Sequence, residues 1–544
     1  MSAVLETREP SARYLAEVQP ALVRQFELLA TAPGGVARLR ELILALAVQG
    51  NVVQQDPGDE PASELLRRIR SERTALVAAG LIKQEKPSAP ISPEEEPCPL
   101  PRGWAWVRFG DLIHELCTGP FGSLIHKEDY VSGGVPLINP SHMIDGRIEH
   151  DTGVSVSALK ASQLAAYQLS AGDVLLARRG EMGRYALVTE REAGWLCGTG
   201  SFFLKLSEAY DRRFFGLTLE DPRLRRHLLG ESVGATMTNL NQRILLDAVI
   251  AVAPLAEQAR IVARVDELMR LCDALEAKCR LESEQHARLL ATLLGTLTDS
   301  SAPEELAANW QRVADHFDLL LDRPEAVDAL EQTIQQLAVR GLLVPRGVWT
   351  KSRLGDVVAM LNGYAFKSEW FIPSGVRLVR NVNVSHGSID WHQAACVSAA
   401  VSEEFAQFAL AEGDVVLTLD RPIISTGLKL AVVEADDLPC LLLQRVARLS
   451  PDPNVLSRDF MLLWLRSDSF MKAIDPGRSN GVPHISTKHV AALTIDLPRL
   501  PEQACIVARV EELRRLCADL RQRLAASQTT QSHLAEALVD MAVT

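Results

Sequence analysis

Apolar positions along residues 258–297 recur with a period of seven. Val265, Cys272, Cys279, His286 and Leu293 form one track, and Leu268, Leu275, Glu282 and Leu289 the other. These are the a and d positions of a heptad, which predicts a helix roughly 60 Å long at about 1.5 Å per residue. The same double track returns near the C-terminus, with Val510, Cys517, Leu524, Gln531 and Leu538 beside Leu513, Leu520, Ser527, Leu534 and Met541. Polar residues interrupt each seam at its middle: Glu282 and His286 in one, Ser527 and Gln531 in the other. Two long helices with matching seams are expected to pair; the alternative is two independent amphipathic core helices. Elsewhere the pattern changes to short apolar runs, such as Val174-Leu175-Leu176, Phe202-Phe203-Leu204, Val415-Val416-Leu417 and Leu441-Leu442-Leu443, punctuated by Gly, Pro, Asn and Asp. Such runs predict mixed α/β or β-rich domains of about 150 residues each. Residues 83–101, rich in Pro and Glu, read as an exposed, flexible linker.

The chain repeats itself. Residues 257–272 (EQARIVARVDELMRLC) and 502–517 (EQACIVARVEELRRLC) are identical at 13 of 16 positions, at an offset of 245. FGDLI (109–113) answers LGDVV (354–358), AGDVLL (171–176) answers EGDVVL (412–417), and VPLINPSHMIDGRI (135–148) aligns with VRLVRNVNVSHGSI (376–389). LRELILALAVQGNVV (39–53) and LEQTIQQLAVRGLLV (330–344) share LAVxG. A tandem duplication follows, each copy a divergent middle block flanked by better-matched helical segments.

Length and charge refine this picture. With 544 residues and 47% apolar composition, the chain supports several cored domains and excludes wholesale disorder. No apolar run approaches the ~18 residues a membrane helix needs, and the acidic N-terminus is unlike a signal peptide, so a cytoplasmic location is expected. Nine scattered cysteines without a CxxC argue against a zinc ribbon and suit reduced thiols; Cys272 and Cys517 read as small buried apolar residues. The net charge of −12 argues against a simple basic nucleic-acid binder. Yet residues 101–255 carry net −1 and 345–500 net 0, so the middle blocks are free to hold local basic faces while the helical segments carry the acid.

The layout resembles the specificity subunit of type I restriction–modification enzymes. The resemblance rests on PLPRGWAWVRFGDL (99–112), GPFGS (119–123), VPLINPSHM (135–143), GDVLLARRGEMGRYALV (172–188), GTGSFF (198–203), TNLNQR (238–243) and PLAEQARIV (254–262). GDVVLTLDRPIISTGLK (413–429), LLLQRVARL (441–449) and NGVPHISTKHV (480–490) play the matching parts in the second copy. It covers the chain from about residue 39 to the end. It implies an α+β protein: two β-rich α/β target-recognition domains in a pseudo-two-fold tandem repeat, separated by two long antiparallel coiled-coil helices. The expected organisation is an N-terminal extension (1–38), a helical conserved segment plus linker (39–100), recognition domain 1 (101–255), a central helical region (256–344), recognition domain 2 (345–500) and a C-terminal helix (501–544). In such proteins each domain reads one half of a split double-stranded DNA site, and the helices set the spacing. Two methyltransferase subunits and the restriction/translocase subunits are the implied partners. No cofactor is expected in this chain; S-adenosylmethionine, ATP and Mg are expected in the partner subunits. One departure is visible: a segment like residues 39–73 often closes such proteins and here precedes the first domain, as in a circular rearrangement. Two other readings stay open: the specificity component of another methyltransferase-linked restriction system, and a coiled-coil scaffold whose two heads bind something other than DNA.

No catalytic constellation is visible. There is no NPPY- or DPPY-like motif, the nearest string being Ile138-Asn139-Pro140-Ser141, and no P-loop or His/Cys/Asp cluster at ligand spacing, so the chain is expected to be non-catalytic. Base edges are read by Arg, Lys, Asn and Gln, while other cations hold phosphates. Candidate DNA contacts in the first domain are Arg178, Arg179 and Arg184, in a glycine-punctuated loop after a β run, and Asn239, Asn241, Gln242 and Arg243 ahead of an apolar strand. A solvated hairpin tip and a capped turn are the structural alternatives. In the second domain the candidates are Arg380, Asn381 and Asn383; Arg421 and Lys429, which bracket PIISTG; and Arg478, Asn480, His484 and Lys488. Gly119 and Gly122 either permit a close backbone approach or form a plain tight turn.

Overall fold

The computed structural model describes residues 29, 32–84, 88–151, 153–180, 183–230, 240–300, 302–424, 427–474 and 485–543. It falls into two compact units: residues up to Leu281 together with Gln528 onward, and Glu282–Ser527. Both cuts pass through the long helices at the polar interruptions of their seams, Glu282 and Ser527.

The two heptad runs are single helices, Leu255–Asp299 and Leu500–Val543. Three shorter helices also matter: α1 (Gly35–Val48), α2 (Ala62–Ala78) and, before the second domain, Pro324–Val339. In chain order the long helix 255–299 is α3, Pro324–Val339 is α4 and the long helix 500–543 is α5. Each unit holds the N-terminal half of one long helix and the C-terminal half of the other. In the first unit Val265, Leu268 and Cys272 of α3 share a core with α1, with Val539 of α5 packed against it. In the second unit Leu290, Leu294 and Leu297 of α3 share a core with Val510 and Cys517 of α5, with Leu513, Leu520 and Leu524 against it. The helices are therefore antiparallel, and Cys272 and Cys517 are buried as small apolar residues, at 1% and 4% exposure.

The seam does not keep its heptad phase. Leu289 and Leu534 are about half exposed, at 53% and 47%, and the next residues, Leu290 and Ala535, are buried in their place. A straight helix drifts by roughly 20° per heptad against a strict 3.5-residue repeat. Beyond the polar interruption, Leu290, Leu294 and Leu297 of α3 share a core with Val313, Leu320 and Leu321 and with Val510 of α5, so the stripe follows the local core. His286, an a position on paper, lies near Asp322 (3.5 Å) and the carbonyl of Leu319 (3.2 Å).

The recognition domains share one topology. In the first, a four-stranded sheet runs Ile113–Thr118, Ser201–Leu206, Val174–Ala177, Tyr185–Leu187, all antiparallel. Its counterpart runs Val358–Asn362, Val446–Pro451, Val415–Thr418, Leu430–Val432, with His386–Gly387 added in parallel. A second sheet pairs Val135–Ile138 in parallel with Leu196–Cys197, and Val376–Val379 in parallel with Cys440–Leu442. These strands are short and often buried on both faces, as the continuous apolar runs require. Ala105–Arg108 pairs with Val249–Val252, and Thr350–Arg353 with Thr494–Leu497, so each domain leaves beside its point of entry, at the head of a long helix.

The repeated Glu-Gln at the start of each long helix makes this joint. Glu257 accepts from Trp104 Nε1 (3.1 Å) and Gln55 Nε2 (2.7 Å), and Glu502 from Trp349 Nε1 (2.7 Å) and the Gly347 N–H (3.0 Å). Burial pushes the Glu257 carboxyl up, against the opposing hydrogen bonds from Gln55 and Trp104. Gln258 and Gln503 are fully buried and bridge helix to domain.

The first unit alone carries α2, whose Ala62, Leu65, Leu66 and Ile69 enter the core. The described part of the Pro/Glu-rich stretch is mostly exposed, yet it is tied down at several points. Arg108 reaches both oxygens of Glu95 (2.7 and 2.9 Å), Trp106 Nε1 donates to the Cys98 carbonyl (3.2 Å), and Ser88 Oγ to Asp111 (2.7 Å).

Candidate DNA interface

In the first domain three separate stretches meet where strand Val174–Ala177 ends. The Arg178 N–H donates to the Gly200 carbonyl (2.8 Å), and its own carbonyl accepts from the Leu240 N–H (3.0 Å). Its guanidinium Nε donates to the Leu240 carbonyl (3.3 Å) and the group stacks over Phe202, 5.7 Å from the ring centre. Arg178 thus acts as a clasp, joining the strand end to the TNLNQR segment. Arg179 beside it is exposed, and Arg184, at the far side of the loop, is half-buried.

Asn241 caps helix Gln242–Asp247: its side-chain oxygen accepts from the Ile244 N–H (3.1 Å), the capped turn that sequence reasoning held as an alternative. Gln242 follows on the first turn and its amide donates to Thr118 Oγ1 (3.1 Å). The Arg243 side chain is 89% exposed, beside Asp247 at 3.3 Å. The GPFGS turn lies alongside. A Cβ on Gly119 would stand 2.0 Å from the Gly198 carbonyl oxygen, so that glycine serves close packing of two backbones. Gly122 has φ +64° and open space around it, which leaves Phe121 61% exposed at the tip.

The second domain repeats this edge with different side chains. The Leu419 N–H donates to the Arg445 carbonyl (2.8 Å), and the Ile485 N–H to the Leu419 carbonyl (2.9 Å), matching the two backbone bonds of Arg178. Ser486 caps helix Thr487–Ala492, as Asn241 caps its counterpart, and Lys488 stands exposed where Arg243 does. Asn362 reaches Thr487 (3.2 Å), the mirror of Gln242 reaching Thr118. A Cβ on Gly363 would meet the Leu443 carbonyl oxygen at 2.1 Å, as on Gly119.

The remaining candidates divide. Arg421 is exposed, with φ +48°. Asn383 is buried at 1% exposure; its oxygen accepts from the Arg380 N–H (3.2 Å) and Nε (3.3 Å), and its amide donates to the Asp390 carbonyl (2.8 Å). Arg380 is half-buried and also donates to the Gln393 carbonyl. Lys429 is 9% exposed and donates to the Asn381 carbonyl and to Asn381 Oδ1 (2.6 Å). Burial holds the Lys429 ammonium below its usual value, with Asp420 opposing. These four side chains build the turn that follows Val376–Val379. Asn239, Arg478, Asn480 and His484 lie outside the described residues.

Arg445 was not singled out from sequence. It sits within the apolar LLLQRVARL run with φ +70°, its side chain 65% exposed and 2.8 Å from Asp420. An Arg in a positive-φ turn carries no compositional signal, so only its place inside a quoted motif pointed there.

Among the described residues no group of three or more His, Cys, Asp or Glu side chains could hold a metal ion, and no helix is long and apolar enough to cross a membrane.

The model of the type I restriction modification DNA specificity domain matches residues 101–284 and again 347–527. The chain is 37% identical over 561 residues to the type I restriction enzyme EcoAI specificity subunit of Escherichia coli, covering 94% of each protein. It is 29% identical over 572 residues to the EcoEI specificity subunit of the same organism, again with 94% of each covered. Among solved structures, a HsdS subunit from Thermoanaerobacter tengcongensis aligns over 82% of this chain and 98% of its own, at 21% identity and a TM-score of 0.41. Two matched domains in tandem and a full-length relative well above 30% identity place the protein: it belongs to the family of type I restriction–modification specificity subunits.

Proposed function

We propose that this chain is the sequence reader of a type I restriction–modification complex, each recognition domain contacting one half of a bipartite double-stranded DNA site. The helices would set the gap between the halves and seat two methyltransferase subunits, with restriction/translocase subunits completing the assembly. On this reading the chain itself is non-catalytic and acts in the cytoplasm. Methyl transfer from S-adenosylmethionine and Mg-ATP-driven steps would belong to the partners. The observation that carries the reading is the duplicated edge. In both domains a strand exit, a bend and a capped helix converge, and they present Arg179, Gln242 and Arg243 in one and Arg421, Arg445 and Lys488 in the other. Exposed cations on such an edge suit phosphate, and the amide and guanidinium groups suit base edges. The test is binding of the chain, assembled with its methyltransferase, to random duplex DNA followed by sequencing of the retained fraction. A split motif supports the reading; retention without sequence preference overturns it.

A further inference from the structure

The duplication gives every chain two short helices, α1 and α4, and two seats for them, on α3 and on α5. The apolar faces hardly differ. Leu39, Leu42, Ile43, Leu46 and Ala47 of α1 are buried, as are Leu330, Thr333, Ile334, Leu337 and Ala338 of α4, at a constant offset of 291. Hydrophobic burial is non-directional and cannot tell these faces apart. The ionic contacts beside them can, because their polarity is inverted. In the first unit Arg40 of α1 meets Asp273 (2.6 Å) and Glu276 (3.0 Å) of α3, with Met269 Sδ at 4.0 Å. In the second unit Glu331 of α4 meets Arg521 (2.9 Å) and Arg514 (3.4 Å) of α5, and Asp328 meets Arg521 (2.6 Å). By the two repeat offsets, Arg40 corresponds to Glu331, Glu276 to Arg521 and Met269 to Arg514.

We propose that this inversion is a pairing code that keeps α1 on α3 and α4 on α5, and so excludes the crossed pairings, α1 on α5 and α4 on α3, within a chain or between two copies. If α1 sat on α5, Arg40 would lie between Arg514 and Arg521. If α4 sat on α3, Asp328 and Glu331 would face Asp273 and Glu276. Each exchange turns the pairing at Glu276 or Arg521 into a like-charge contact and adds another, with Arg514 for α1 or Asp273 for α4, while Ala518 and Met269 offer no compensating charge. The pairs are partly exposed, so each stabilises its own seat only slightly. Discrimination is larger than stabilisation, because it counts both the attraction lost and the repulsion met. Without the code, near-identical faces on a duplicated chain invite exchange between copies.

The test uses the full chain carrying Arg40→Glu, Asp273→Ala and Glu276→Arg, which restores the native pair with reversed sign and makes both exchanged pairings attractive. Two differently tagged copies are co-expressed, and capture of one by the other is measured against the wild type. Co-capture is expected to rise by more than about fivefold. A neutral variant, Arg40→Ala with Asp273→Ala and Glu276→Ala, guards against misfolding of the first and should give an intermediate rise, since the repulsion is lost without any new attraction. Co-capture at the wild-type level in either folded variant overturns the proposal, because plain surface ion pairs would leave the oligomeric state unchanged.

Discussion

Gln503→Ala is the sharpest test of how a recognition domain is fixed to its helix. Gln503 is fully buried on the first turn of α5. Its amide donates to the carbonyls of Val455 (2.8 Å) and Pro498 (2.9 Å), and its oxygen accepts from the Ser457 N–H (2.8 Å). Ser457 in turn caps helix Arg458–Leu465. Truncation leaves one buried N–H and two carbonyls without these partners. An unpaired buried group costs about 1–3 kcal/mol, and a carbonyl costs less than an N–H because its second lone pair is more easily satisfied. The expected loss is therefore about 3–5 kcal/mol, including the small cavity. Gln258 makes two such bonds, to the Ala253 carbonyl (2.9 Å) and from the Asp211 N–H (3.2 Å), so Gln258→Ala should cost less. A chain with two units is not expected to unfold in one step, so the assay is native-state hydrogen exchange on the amides of residues 458–465. A fall in protection below about tenfold, equivalent to about 1.4 kcal/mol, refutes the reasoning. So does a larger cost for Gln258→Ala than for Gln503→Ala.

Arg179→Ala and Arg243→Ala should each lower the salt dependence of DNA binding by about one unit of slope if the contact is to phosphate, or relax one site position by about 1–3 kcal/mol if it is to guanine; unchanged binding across a salt series in both removes this edge from the interface. Arg178→Ala should instead destabilise the first domain by about 1–2 kcal/mol, read as faster native-state hydrogen exchange at the Leu240 amide, because it loses the bond to Leu240 and the Phe202 contact. Replacing residues 101–255 with the first domain of another specificity subunit should alter one half of the methylated motif, and methylome sequencing showing both halves changed would refute modular reading. Burial raises the Glu257 pKa above 4.5, so its contribution is fully present below that value and is lost as pH rises through the folded pKa. Glu257→Gln should therefore gain on the wild type as pH rises through that window, and a stability difference independent of pH would contradict this.

The duplication and the long helices were legible because a helix writes its period into every turn. What was not legible is where that period yields. Leu289 and Leu534 obey the heptad on paper and face water in the structure, since the stripe follows whichever partner is present at that level. The Glu-Gln pair was visible as an identity between copies, but not as a joint: Trp104 lies 153 residues from Glu257, and Trp349 as far from Glu502. Periodicity cannot report a contact at that separation, and only the strand pairing that returns each domain to its start brings the partners together.

The polar edge shows the same limit from the side of chemistry. Residue type selected Arg178, Asn383 and Lys429 as readily as Arg179, Arg243 and Lys488, because an Arg, Asn or Lys after a strand has the same composition whether it faces in or out. The backbone decides. At Arg178 the backbone N–H and carbonyl join the segments ending at 200 and 240 to the strand end, and the guanidinium over Phe202 adds one bond to the Leu240 carbonyl. At Asn383 and Lys429 the turn after Val376–Val379 is closed by side chains that water would otherwise hold. In the second domain Leu419 takes the place of Arg178 and makes the same two backbone bonds. The clasp is thus a property of the backbone, and a cation is optional at that position. The exposed neighbours differ more: Gln242 and Arg243 stand against Thr487 and Lys488 on two helices capped alike by Asn241 and Ser486. A scaffold that holds its backbone bonds constant while varying the groups it presents is what two readers of different half-sites require, and it explains why the framework repeated in the sequence and the presented residues did not.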